Sequence, residues 1–439
     1  MRPSTRTLAV ALLLAAAKLA AQVTAMPSAV GSVSSSADGS LSENTLILGT
    51  STGIAYDSNA LSSHPPVSNV QYTIYPLVGV HLARPRWDAL ISFVPGLSYS
   101  NGNLPQYQAL SLVSGTSLEF RPTERLKLHV LNTLVSSSNP FDSLSTNSGP
   151  VPAGSATATV SNLNYLPRTN ELVSGNASYN LSARTSLFAL ASYNYFGYQD
   201  NPNIPSALQP FQQSSSTDIT VGANRGLSSK YTETVQYEAQ LVDAGQGRIK
   251  TLGQSLQYGL MGAPTASFRW SAMAGPEYLQ NSYTGLLPSN GALAASVERA
   301  SGWTWTGSFA LSETFGKNQI SAKASKQLGI GTQYQGSARQ TSIEVDYTRH
   351  LPGRTDLVLF GSYNTNSPAF VAQSIVRLAN NYSSSGATVS KSISQRWTLS
   401  CAYWYLNQSI PETGGQFYSG NHNRVAFTLS YSIMRPLSQ

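Results

Sequence analysis

The chain has one cysteine, Cys401, in 439 residues. An internal disulfide framework is therefore excluded. Charged residues make up only 11% of the chain, well under the quarter or so typical of a soluble globular domain. The basic residues are scattered rather than clustered, which argues against a nucleic-acid partner. Long apolar runs are missing beyond the N-terminus, and the mean hydropathy is −0.15. That excludes a bundle of transmembrane helices. No segment shows a convincing helical period. The motifs of common catalysis are missing too: no H-E-x-x-H, no G-x-S-x-G and no phosphate or dinucleotide loop. None of His64, His81, His129, His350 and His422 has a second His or Cys at metal-ligand spacing. Neither enzyme activity nor a metal or cofactor is expected. His422, in "SGNHNRV" beside Arg424, reads as a solvated loop histidine. Cys401 falls on the apolar parity of "WTLSCAYWYL" and reads as a small lipid- or core-facing residue.

What the sequence does have begins with its first residues. Arg2 and Arg6 precede the apolar run "LAVALLLAAAKLAAQ", and small residues follow it. This is the order of a secretory signal peptide. Residues 1–25 are expected to be removed, and the Ser/Gly-rich residues 26–44 to form a flexible periplasmic lead-in. That lead-in is too short to fold as a plug domain. The formal charge of +7 loses Arg2, Arg6 and Lys18, leaving about +4 by subtraction, a mild excess.

From about Thr45 the chain alternates apolar and polar residues in segment after segment. The segment "YPLVGVHLARPRWDALISFVPGLSYS" folds on Arg84–Trp87 if residues whose numbers sum to 171 are paired. Val80 then meets Ile91, Val78 meets Phe93, Ile74 meets Leu97 and Tyr72 meets Tyr99. The same period of two aligns Trp303, Trp305, Phe309 and Leu311, and again Val425, Phe427, Leu429, Tyr431 and Ile433. Sustained alternation of this kind is the strand signal. Short connectors such as 121–125, 182–185, 262–265, 316–318, 351–354 and 394–396 alternate with long ones at 59–69, 136–170, 199–215, 280–300, 366–380 and 409–422. The expectation is an all-β chain: a transmembrane antiparallel up-and-down β-barrel over residues 45–439, of about 18 strands (alternatively 16). Pro76 and Pro95 face each other in this register, where one bulge would hold both. Lys326 falls on the apolar parity, either snorkelling from the rim or marking a wrong register.

An apolar face needs a cover. The segments are longer than the five or six residues usual in soluble strands and suit a tilted bilayer crossing. The apolar parity often ends in Tyr or Trp, as at Tyr99, Tyr193, Tyr195, Tyr258, Trp397, Tyr403 and Tyr405, the positions of interfacial aromatic girdles. The other parity, mostly Ser, Thr, Asn, Gln and Gly, reads as a wettable lumen. Its charges include Glu119, placed opposite Lys127, together with Glu238, Glu344 and Asp346. Inner aromatics such as Trp404 are candidate sugar-stacking residues.

The export signal, the hairpin ladder and the closing strand "RVAFTLSYSI" together resemble a bacterial outer-membrane β-barrel of porin-like size. The resemblance implies outer-membrane lipid and the outer-membrane assembly machinery as partners, and passive passage of small polar solutes. It leaves open a barrel serving polysaccharide secretion, since Ser- and aromatic-rich barrels near exopolysaccharide export genes look similar, or a structural or adhesive barrel. It also implies that the longest connector, 136–170, folds inward as a constriction loop, with Asp142 and Arg168 setting opposed charges there. Oligomeric state is not legible.

Overall fold

The computed structural model describes residues 44–59, 66–101, 108–137, 168–198, 213–244, 249–289, 292–330, 337–368, 380–409 and 420–437. The signal segment, nearly all of the lead-in and Asp142 lie outside them. Eighteen antiparallel strands make one sheet in which every strand pairs with its sequence neighbours, and the first pairs with the last. They are β1 (Thr45–Asp57), β2 (Asn69–Arg84), β3 (Trp87–Asn101), β4 (Gln108–Phe120), β5 (Leu126–Ser137), β6 (Arg168–Asn180), β7 (Thr185–Tyr198), β8 (Gln213–Gly226), β9 (Tyr231–Ala244), β10 (Ile249–Gly262), β11 (Phe268–Ser289), β12 (Ala292–Phe315), β13 (Asn318–Ile330), β14 (Ser337–Leu351), β15 (Thr355–Pro368), β16 (Asn380–Ser392), β17 (Trp397–Ser409) and β18 (Gly420–Pro436). Closure leaves the sheet no free edge at the seam, where Thr45 opposes Pro436 and Asp57 opposes Arg424.

The hairpin of β2 and β3 adopts the expected register: Tyr72 opposes Tyr99, Ile74 opposes Leu97 and Val80 opposes Ile91. The two prolines are accommodated differently from expectation. Between the Ile74–Leu97 and Val78–Phe93 pairs the ladder is interrupted, and it resumes without a change of register. No extra residue is inserted. Two opposed residues without an N–H simply open the ladder locally.

Outward residues form an apolar belt. Ile54, Ile74, Phe93, Ile219, Val235, Leu256, Phe309 and Phe427 are all exposed. Exposed aromatics flank the belt at both ends: Tyr72, Tyr99, Tyr193, Trp303 and Tyr403 toward the loops, and Phe120, Tyr179, Tyr231 and Trp397 toward the turns. Several meet across strands, with ring centroids 6.4 Å apart for Tyr72–Tyr99 and 4.9 Å for Trp397–Tyr431. A patch this large would be untenable in water and is what hydrocarbon covers. Cys401 is on this outer face. Lys326 is too, and the register holds there. Its Nζ sits 3.9 Å from the centre of the Trp305 ring, which supplies the ammonium with a partner on an otherwise apolar surface.

Two expectations about connectors fail. The segment 280–300 is not a long loop: β11 runs to Ser289 and β12 starts at Ala292, paired throughout. The hairpin overhangs β10, whose last partner on β11 is Tyr283. His422 is not in a loop either. It lies on β18, facing inward and 1% exposed, with Nδ1 3.4 Å from Asp57 Oδ1 across the closing seam.

Candidate functional site

The inner face of the barrel has two characters. Across β1 to β5 an apolar patch sits among polar residues: Ile47, Tyr75, Leu77, Val94, Val113 and Val135 form one buried cluster, with Ser51, Gln71, His81 and Ser98 on the same face. The lining expected to be mostly polar thus carries one packed apolar patch. The inner residues of β7 to β11 are polar. Ser192 and Asn194 on β7, Asp218 and Thr220 on β8, Gln236 and Glu238 on β9, and Ser255 and Gln257 on β10 are all buried or nearly so. Their order follows from register. Glu277 opposes Ser255, which opposes Glu238, which opposes Thr220. One row lower in the ladder, Gln240 opposes Asp218, which opposes Ser192. Ser192 Oγ donates to Asp218 Oδ2 at 3.1 Å, and Gln257 Nε2 donates to Glu238 Oε2 at 2.7 Å.

The wall is interrupted between β12 and β13. Their pairing runs from Phe315–Asn318 to Gly307–Lys326 and stops, although β12 continues to Ala292 and β13 to Ile330. Beyond Lys326, β13 keeps its partner β14, down to the Ile330–Ser337 pair. The two part from β12 together and turn inward, while β14 stays paired with β15 as far as the Ala338–Pro368 pair. Three contacts establish this. Leu328 is on the outward parity of β13 yet 1% exposed, and its Cδ2 lies 3.1 Å from where a Cβ on Gly253 of β10 would stand. Arg339 on β14 donates from Nη2 to Thr304 Oγ1 on the inner face of β12. β13 also touches β8 and β9, and β14 touches β9 and β10, strands that are four or more places away around the wall. At the fork, Thr306 Oγ1 donates to the carbonyl of Lys326 at 2.8 Å and occupies an acceptor that the lost ladder frees.

An in-turned hairpin crossing from β12 to β8 narrows the passage. Among the described residues it is the element that enters the lumen; the connector expected to do so, 136–170, lies outside them between residues 138 and 167. Arg168 is the first residue of β6 and opposes Ser137; the proposed opposition to Asp142 lies outside the described residues. The other sequence-derived charges divide into separate sites. Glu119 opposes His129, not Lys127. The shift of two keeps all three on the inner face, and Lys127 Nζ still reaches Glu119 Oε2 at 2.6 Å, beside Arg121. This group sits at the turn end of the barrel. Glu344 opposes Lys323, and Asp346 opposes Ser321, which donates to it at 3.2 Å. These acids are on the wall part of β14, below the fork. Only Glu238 lies on the surface that the hairpin faces. Asp218, Glu277 and Arg339 are the residues that sequence reading missed there. Asp218 and Glu277 were legible as inner-parity acids, whereas Arg339 is on the outward parity and reaches Thr304 on the inner face of β12 because β13 and β14 turn in from that strand.

Neither a protein-family model nor a curated protein matches the chain. Solved structures do. OccK2 (OpdF) of Pseudomonas aeruginosa is similar at 10% identity and a TM-score of 0.43, covering 89% of this chain and 98% of its own. A BenF-like porin from Pseudomonas fluorescens Pf-5 is similar at 11% identity and 0.43, covering 89% and 99%. OccAB1 of Acinetobacter baumannii is similar at 10% and 0.42, covering 89% and 96%. A likeness of this degree assigns no residue a role.

Proposed function

We propose that this protein is a passive channel of the bacterial outer membrane for small polar solutes. The observation that carries this reading is a closed 18-stranded wall, apolar outside and polar over much of its inside, with a hairpin folded into its lumen. Closed barrels are one of only two ways for a chain to satisfy its backbone across a bilayer. At eighteen strands such a barrel is wide enough for an aqueous passage unless something fills it. The in-turned hairpin restricts that passage to small solutes, and the export signal brings the chain to the compartment from which outer-membrane barrels assemble. The closing strand β18, with Tyr431 and Ile433 near its end, is the segment offered to the assembly machinery.

The polysaccharide-secretion reading is weakened by its own candidate. Trp404 is 2% exposed and packed among Ala55, Ala402 and Ala426, so its ring presents no face for a sugar to stack on. The test is reconstitution of purified protein into planar bilayers. Discrete single-channel steps in salt support the channel reading. A folded, inserted barrel without conductance rejects it.

A further inference from the structure

Asp218 and Glu238 are carboxylates on the inner wall with no cation beside them. No ion pair joins either one among the described residues. The charged groups that face Glu238 are Asp218 and Glu277, both acids. The charge of Arg339 bears on Glu277 instead, so the inward positive charge of the hairpin is spent two strands away from Glu238. Burying two carboxylates without a counter-charge is costly unless something else supplies one.

The surrounding polar atoms point the same way. Asn194 Oδ1 and Thr220 Oγ1 have no hydrogen-bond partner, although these residues are 3% and 1% exposed, while the Asp218 carboxylate is met by neutral donors alone, with Ser192, Gln240 and Ser216 around it. They lie on adjacent strands and on one face. Thr220 is directly opposite Glu238, and Asn194 is two residues from Ser192, the neighbour of Asp218. These two oxygens and the two carboxylates make a surface rich in acceptors, with the Nε2 donors of Gln236 and Gln240 among them. An ammonium brings three donors to such a surface and a guanidinium five, with the positive charge it lacks. A cluster of three or more metal-type ligands is not present among the described residues, and the acceptors are spread over three strands, which suits an extended organic cation better than a metal ion.

The in-turned hairpin lies against this same wall, since β13 touches β8 and β9. We infer that the inner face of β7 to β9, centred on Asp218 and Glu238, is a subsite for the ammonium or guanidinium group of a solute passing beneath the β13–β14 hairpin. The inference rests on the channel reading and adds a substrate class to it. No covalent step is involved: the solute's cation exchanges water for the wall's oxygens, and leaves again because the contacts are few.

The probe is L-arginine, with glucose as a neutral control and L-glutamate as an anionic one, added to single channels of the full protein in potassium chloride. The expected result is preference for potassium over chloride in a salt gradient, and brief current interruptions with arginine only. Asp218→Asn combined with Glu238→Gln is expected to raise the arginine concentration needed for the same interruption by about tenfold or more, as the loss of one or two charged hydrogen bonds gives. The step size in potassium chloride changes far less. Should the double variant not fold, Asp218→Asn alone is expected to show a smaller shift in the same direction. A conducting channel that glucose or glutamate interrupts as strongly as arginine, or variants interrupted like the unaltered protein, overturns the subsite and leaves the channel reading standing. A folded barrel without conductance overturns both.

Discussion

Leu328 is seated over Gly253, a residue of β10 three strands away around the wall, with its Cδ2 3.1 Å from the place a Cβ would occupy. Glu277 Oε1 and Leu279 Cδ2 flank the same spot at 3.2 Å. The hairpin therefore docks where the wall has no side chain. Close-packed contacts of this kind do not absorb added volume. Gly253→Leu is expected to push the hairpin off its seat and increase single-channel conductance, and Gly253→Ala to do so less. Unchanged conductance in a folded Gly253→Leu barrel would place the seat elsewhere.

The faces of the wall make a second prediction. Phe427 is 51% exposed, central in β18, and opposes Cys401 and Ile54 on the outer face. Phe427→Arg is expected to destabilise the barrel by about 2–4 kcal/mol, the cost of arginine near a bilayer midplane. Ser400→Arg, half-buried on the inner face of the neighbouring strand, is expected to cost much less. Denaturant titration of the protein folded into lipid vesicles measures both. Equal costs would mean that the outer face does not meet hydrocarbon.

The Glu119 group is expected to be structural and weak. Lys127 and Arg121 are half or more exposed, and ion pairs of that kind contribute about 0–1 kcal/mol. Glu119→Gln is expected to lower stability by no more than that and to leave ion preference as it was. A reversal potential shifted as far as by the Asp218 variants would instead make this rim a selectivity element.

Much of the wall was legible because lipid and water impose opposite demands on alternate residues. The register of β2 and β3 follows from Val80, Ile91, Phe93 and Tyr99 alone, and strand starts read from alternation lie within three residues of those observed, except β12. That exception has a physical cause. The β11–β12 ladder runs on past the end of β10, and the segment "LLPSNGALAAS" shows no alternation from which a strand start could be read. The constriction was illegible for a related reason. Parity assumes a strand that stays in the wall; Leu328 and Arg339 keep the outward parity while their hairpin turns inside. Likewise Ile47, Leu77 and Val94 sit on the parity assigned to water, and nothing local in the sequence tells a packed inner patch from a wetted one.

The most direct test of the account is the size of the open channel with and without the in-turned hairpin. Gln327 and Gln340 oppose each other at the fork, so residues 328–339 can be replaced by an Asn-Gly turn, the two-residue connection that fits a strand pair, at the loss to β15 of its last two partners on β14, Ala338 and Arg339. The account predicts a barrel that still folds, conducts in larger single-channel steps and admits larger sugars in vesicle-swelling assays. A folded variant with the same step size and the same size limit would contradict it.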